Sequence, residues 1–129
     1  MGFWLFMFLF NLILPLMLIG FGRLFCHHAP SEINSVFGYR TRRSMLNQDT
    51  WQFAHKHIGK TWKRLGLVLL LSSAIAMIFL FSRKIDLVGR FGSLITGIQV
   101  VFLIASVFPT ESALKQTFDE KGERKEPQR

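Results

Sequence analysis

Three stretches of this chain, Phe3 to Gly22, Leu65 to Phe81 and Phe91 to Phe108, contain no charged residue. A helix rises about 1.5 Å per residue and the hydrocarbon layer of a bilayer is about 30 Å thick, so each stretch crosses that layer or nearly does. Half of the 129 residues are apolar, which leaves no room for a second globular domain of ordinary size beside the spans. The expected fold is an all-α membrane protein: a three-transmembrane-helix antiparallel bundle with an interfacial amphipathic helix in the cytoplasmic loop. The segments read as transmembrane helix 1 over 1–24, a basic loop over 25–64, transmembrane helix 2 over 65–82, an outer hairpin over 83–90, transmembrane helix 3 over 91–108 and a polar tail over 109–129. The first span lacks a basic n-region and a small-x-small cleavage site, and its apolar run is too long for a signal peptide, so it is expected to persist.

Charge orients the bundle. The loop holds Arg23, Arg40, Arg42, Arg43, Lys56, Lys60, Lys63 and Arg64 against Glu32 and Asp49, whereas the hairpin holds Arg83, Lys84 and Arg90 against Asp86. The positive-inside rule then predicts a multi-pass protein of the cell membrane with its loop and C-terminus cytoplasmic and its N-terminus outside. The net charge of +8 reads as topology and as attraction to membrane lipids of anionic headgroup, not as nucleic-acid binding, because no basic run is interleaved with stacking aromatics.

Polar residues inside the spans are few. Asn11, the pair Ser72 and Ser73, and Gln99 lie near the middle of their own spans, so antiparallel packing brings them to one depth. An amide facing lipid leaves donors and acceptors unsatisfied, and a cross-helix hydrogen bond there is worth about 0.6 to 2 kcal/mol. These side chains are expected to hold the helices together. Pro15 removes a backbone hydrogen bond near Asn11 and is a candidate kink. Ser93 and Gly97 form a small-xxx-small pair, and the small residues of the second and third spans suit a monomer or a homo-oligomer alike.

The loop carries the most specific pattern. Asn34, Gly38 and Ser44 are turn formers or caps, and Asn47 is a good N-cap with Asp49 in the first turn, so a helix is predicted from about Asn47. Trp51, Ala54, Ile58, Trp62 and Leu65 then recur at helical spacing opposite Gln52, Lys56, Lys60 and Lys63, a pattern suited to headgroup level, with both tryptophans in the aromatic belt and Gly59 as an interruption. Gly38 supplies the positive φ of a tight turn. Arg40 then binds a lipid phosphate, caps the first span or pairs with Asp49. Ser44 is expected to close the turn through the backbone.

Catalytic and metal chemistry find little support. His27, His28, His55 and His57 form two close pairs, but His55 and His57 are two residues apart and face different ways on a helix. Cys26 stands alone, so it forms no internal disulfide. Paired carboxylates, a Gly-rich phosphate cradle and a Ser/His/Asp set are missing, and no ionisable side chain occupies a span to drive transport. No metal, no cofactor and no enzymatic activity is expected. Beyond Pro109, Leu114 and Phe118 suggest one short amphipathic turn, and Asp119 to Arg129 is expected to lack fixed structure.

The stretch from Asn34 to Gly59, with the two spans that follow, resembles the SdpI family of small bacterial integral membrane proteins. The shared pattern is a Gly-x-Arg-Thr turn, a Ser, a Trp-centred helix and a Gly before a span, here Gly38, Arg40, Thr41, Ser44, Trp51, Ala54, His55 and Gly59. The resemblance implies toxin immunity, meaning resistance to a membrane-active antimicrobial peptide, with Gly38, Arg40, Thr41, Ser44, Trp51 and His55 as the residues that meet a partner or lipid. It also implies a cytoplasmic regulatory protein as a second partner, since the best-known member helps to hold a transcriptional repressor at the membrane. The alternative is a signalling or structural adaptor whose basic loop binds a soluble partner or anionic lipid.

Overall fold

The computed structural model describes residues 2–125. Four helices follow one another: α1 (Gly2–His27), α2 (Gln48–Phe79), α3 (Ile85–Ala105) and α4 (Val107–Thr117). Three helical stretches, the third being α3 with α4, are long and apolar enough to cross a membrane, which makes this a multi-pass membrane protein. The only β pairing among the described residues is an isolated bridge between Phe118 and Arg124.

α2 starts where its capping chemistry dictates. The Asn47 side chain accepts from the Thr50 amide while the Thr50 hydroxyl accepts from the Asn47 amide, a reciprocal capping box, and Asp49 lies in the first turn. From there the helix runs unbroken for 32 residues, about 48 Å at about 1.5 Å per residue. The amphipathic stretch around Trp51 is thus helical, and it is the first half of the same rod that crosses the bilayer. Gly59 does not interrupt it. Its small size serves packing instead: a Cβ there would stand 2.7 Å from the Gly22 carbonyl, and one on Gly22 would stand 2.7 Å from the Gly59 carbonyl. Gly66 meets α1 in the same way, 2.9 Å from the Pro15 carbonyl. Small residues let helix backbones touch, and α1 and α2 touch along this line.

α1 continues through Pro15 without a break in the helix. The connection between α2 and α3 is shorter than the charge pattern suggests, running over 80–84, because Ile85 to Arg90 are already helical. Trp4 closes this hairpin end by donating from its indole to the Met77 carbonyl at 2.7 Å. The break between α3 and α4 falls at Ser106. Pro109 has no N–H to offer the carbonyl four residues earlier, at Ala105, where α3 ends. α4 then turns onto α2: the Trp62 indole donates to the Ser106 hydroxyl at 2.9 Å, and His57 Nδ1 lies 2.8 Å from the Thr110 hydroxyl.

Two apolar clusters hold the ends of the bundle. One gathers Phe25, Tyr39, Ala54, Ile58, Leu114 and Phe118 at the loop end, and the other gathers Met7, Met77 and Val88 toward the hairpin end. Leu9, Ile13, Leu71, Ile75, Leu94 and Val101 point outward as the lipid-facing surface. Ser93 and Gly97 lie on that outer face too; a Cβ on Gly97 would meet nothing within 4 Å, so the pair packs no helix of this chain.

The segment 119–125 is folded back, contrary to the expectation of no fixed structure there. Asp119 caps a turn by accepting from the Lys121 and Glu123 amides, and Arg124 forms a two-pronged ion pair with Asp49 at 2.8 Å. Asn47 donates to the Gly122 carbonyl at 2.6 Å. The last residues of the polar tail, 126–129, lie outside the described residues.

Candidate functional site

The loop from Pro30 to Asn47 is built as a cover over the first half of α2. Asn34 begins it with an Asx turn, its side-chain oxygen accepting from the Val36 and Phe37 amides at 3.0 and 2.7 Å. Gly38 follows with φ +121°, a conformation that side chains rarely adopt. A Cβ on Gly38 would also stand 2.7 Å from His55 Nε2 and 3.0 Å from the Trp51 ring, so the loop backbone rests directly on those two rings.

His55 is the hub. It is fully buried, and its Nε2 accepts from the Tyr39 amide at 2.9 Å while Nδ1 faces the Trp51 carbonyl at 2.8 Å. A backbone N–H can only donate, so Nε2 holds the lone pair and the ring proton sits on Nδ1, pointing at Trp51. Burial pushes the His55 pKa down, and the neutral ring fits both partners. Trp51 lies beside it with ring centroids 4.3 Å apart and donates to the Pro30 carbonyl at 2.8 Å. The aromatic-belt expectation for Trp51 is therefore corrected. The partner of the apolar stripe is the chain's own loop, and Trp51 is 0% exposed.

Ser44 closes the turn through the backbone: its hydroxyl donates to the Tyr39 carbonyl and accepts from the Thr41 amide, both at 2.9 Å. Thr41 answers by accepting from the Ser44 amide at 3.2 Å. Tyr39 is buried, and its hydroxyl donates to Glu111 at 2.6 Å, so the loop is tied to α4 as well. Burial first, then the Glu111 carboxylate, push the phenol pKa up and keep it protonated. Arg40 points outward and makes no side-chain hydrogen bond or ion pair among the described residues. Asp49 belongs to Arg124, not to Arg40.

The mid-span polar residues form a separate constellation. Gln99 donates to the Asn11 carbonyl at 2.8 Å and to the Ser73 hydroxyl at 2.7 Å. Asn11 is four residues before Pro15, so its carbonyl is the one that the missing proline N–H leaves free. The Gln99 amide replaces that donor from a different helix. Thr96 joins by donating to the Asn11 side-chain oxygen at 2.8 Å. Ser72 does not take part: it is exposed on the outer face of α2, one residue and about 100° away from Ser73. Sequence reasoning missed Thr96, which lies three residues before Gln99 on the same face of α3. It also missed Tyr39 and Glu111, whose pairing spans the chain from loop to α4.

The four histidines do not converge. His55 turns to the loop and His57 to Thr110 on α4, with the His57 pKa also lowered, by burial and then by Lys60. No group of three or more metal-ligating side chains occurs among the described residues.

The profile described as the SdpI/YfhL protein family matches residues 31–110, which takes in the loop cover, α2 and α3. A curated relative described as "Uncharacterized protein YfhL" of Bacillus subtilis (strain 168) is 48% identical over 40 residues. That stretch is 31% of this chain and 36% of the relative, so the likeness covers about a third of either. No solved structure matches the chain.

Proposed function

Because the chain belongs to the SdpI/YfhL protein family, we propose that it is a non-catalytic membrane protein that gives resistance to a membrane-active antimicrobial peptide. The observation that carries this reading is the family match itself, which spans the Gly38 to Gly59 pattern and the two spans after it. The packing of the pattern supports a division of labour. Gly38, Ser44, Trp51 and His55 are consumed in building the cover, while Arg40 is left pointing outward with no partner among the described residues. Arg40 is then the residue of the pattern through which the cover meets a ligand. In this reading the loop end is cytoplasmic, as the excess of lysine and arginine there argues.

Expression of the chain in a cell sensitive to a peptide toxin, with and without Arg40→Ala, tests the proposal. Survival should rise with the wild-type chain and fall back with the variant, whose exposed side chain contributes nothing to packing. Equal killing with and without the wild-type chain, against the toxins of cells that carry it, sinks the reading.

A second reading, a membrane-anchored adaptor, is favoured by one feature. Arg42 and Arg43 line a cleft of about 300 Å³ with Leu46, Glu111 and Glu120, a mixed-charge recess suited to a soluble protein partner.

A further inference from the structure

The contact of Gly22 with Gly59 sets two cations side by side. Lys63 Cγ lies 3.0 Å from where a Gly22 Cβ would stand, so the lysine stem crosses the α1 backbone next to Arg23. A groove of about 420 Å³ between the two helices is lined by Ile19, Arg23, His27, Lys63 and Leu67. A second recess adjoins it and shares Arg23 and His27, adding Gly20, Leu24 and His28. No acid lines either recess, and the one ion pair among the described residues joins Arg124 and Asp49, so Arg23 and Lys63 have no anion of their own there.

Depth decides what fits. Residues 3–22 of α1 and 65–81 of α2 are free of charge, so Arg23 and Lys63 stand where the apolar spans end. That is the level of lipid phosphates, and the groove floor, Ile19 and Leu67, continues toward the exposed apolar face formed by Leu16, Leu67 and Leu71. We propose that this groove binds an anionic phospholipid, with its phosphate between Arg23 and Lys63 and an acyl chain along Ile19 and Leu67. An arginine fork and a lysine point charge both suit phosphate oxygens, and the apolar floor selects a lipid over free phosphate. The site is distinct from Arg40, which belongs to the loop cover.

Thermal unfolding of the full chain in neutral detergent micelles tests it, with phosphatidylglycerol, phosphatidylcholine of the same acyl chains, or inorganic phosphate added. Phosphatidylglycerol should raise the wild-type midpoint by several degrees, and the other two should not. The shift should vanish in Arg23→Gln/Lys63→Gln and persist in Arg83→Gln/Arg90→Gln at the other end. Leu67→Trp fills the groove floor, leaves every charge in place and alters an exposed side chain, so it should also lose the shift. A shift of equal size in both groove variants overturns the site. Equal stabilisation by phosphatidylcholine or by inorganic phosphate overturns the choice of ligand.

Discussion

The loop cover and the mid-span cluster solve the same problem with different chemistry. Each must find a partner for a backbone group that regular structure leaves unmatched: the Tyr39 amide in one, the Asn11 carbonyl in the other. The cover uses a histidine, which titrates, and the mid-span cluster uses a glutamine, which does not. In lipid no water stands in for a lost partner, so the donor there must be permanent. At the end of the bundle a partner that depends on pH is tolerable. No buried side-chain polar atom among the described residues lacks a partner, so the histidine and the glutamine that serve these backbone groups are themselves satisfied.

The largest effect that separates the two regions is expected from Gly38→Val. A β-branched residue at φ +121° is strained, and its Cβ would strike His55 Nε2, forcing the Tyr39 amide off the ring. Strain and the stranded amide together lower stability by about 3 kcal/mol. Unfolding in micelles measures this, and near-wild-type stability would mean that the loop does not rest on His55.

A smaller loss, about 1 to 2 kcal/mol, is expected from Gln99→Leu, which leaves the Asn11 carbonyl without a donor. Here the proline argument makes a sharper demand. Pro15→Ala restores an N–H to that carbonyl, so Gln99→Leu should cost less in a Pro15→Ala background than in the wild type. Simple additivity in this cycle would show that Gln99 acts on something other than the proline's orphan.

The third effect is a slope and the smallest of the set. His55 is held below its ordinary value, so the folded chain binds fewer protons than the unfolded one as pH falls below about 6.5. Stability should be flat above that pH and decline below it, down to the folded-state value. His57, shifted the same way, adds to the decline. His55→Gln should shrink the slope, whereas Gln99→Leu should leave it unchanged. Midpoints measured from pH 7.5 to 5 distinguish the two, and a wild-type profile without slope would contradict a buried neutral His55.

Much of this was readable in the residues themselves where one physical rule acts alone. Charge-free runs mark the spans, Asn47 with Asp49 marks the start of α2, and Gly38 has the freedom that its turn requires. Depth along the spans groups Asn11, Ser73 and Gln99, but it cannot choose between Ser72 and Ser73, because neighbours on a helix differ by about 100° and only the partner helix breaks the tie. Trp51 was misplaced for a related reason. An amphipathic stripe says that something apolar covers it, and lipid and the chain's own loop satisfy that equally. The pairs Asn47 with the Gly122 carbonyl and Asp49 with Arg124 join residues 75 positions apart, and no local pattern signals them.

The glycine line between α1 and α2 also bears on how the bundle is put together. Those two helices precede α3 in the chain and meet through Gly22, Gly59 and Gly66 without it, yet between them the Asn11 carbonyl has no donor in the hydrocarbon. The missing donor comes from α3. The pair α1 and α2 is therefore tightly joined yet one hydrogen bond short on its own, so α3 is seated on that pair by polarity as well as by shape.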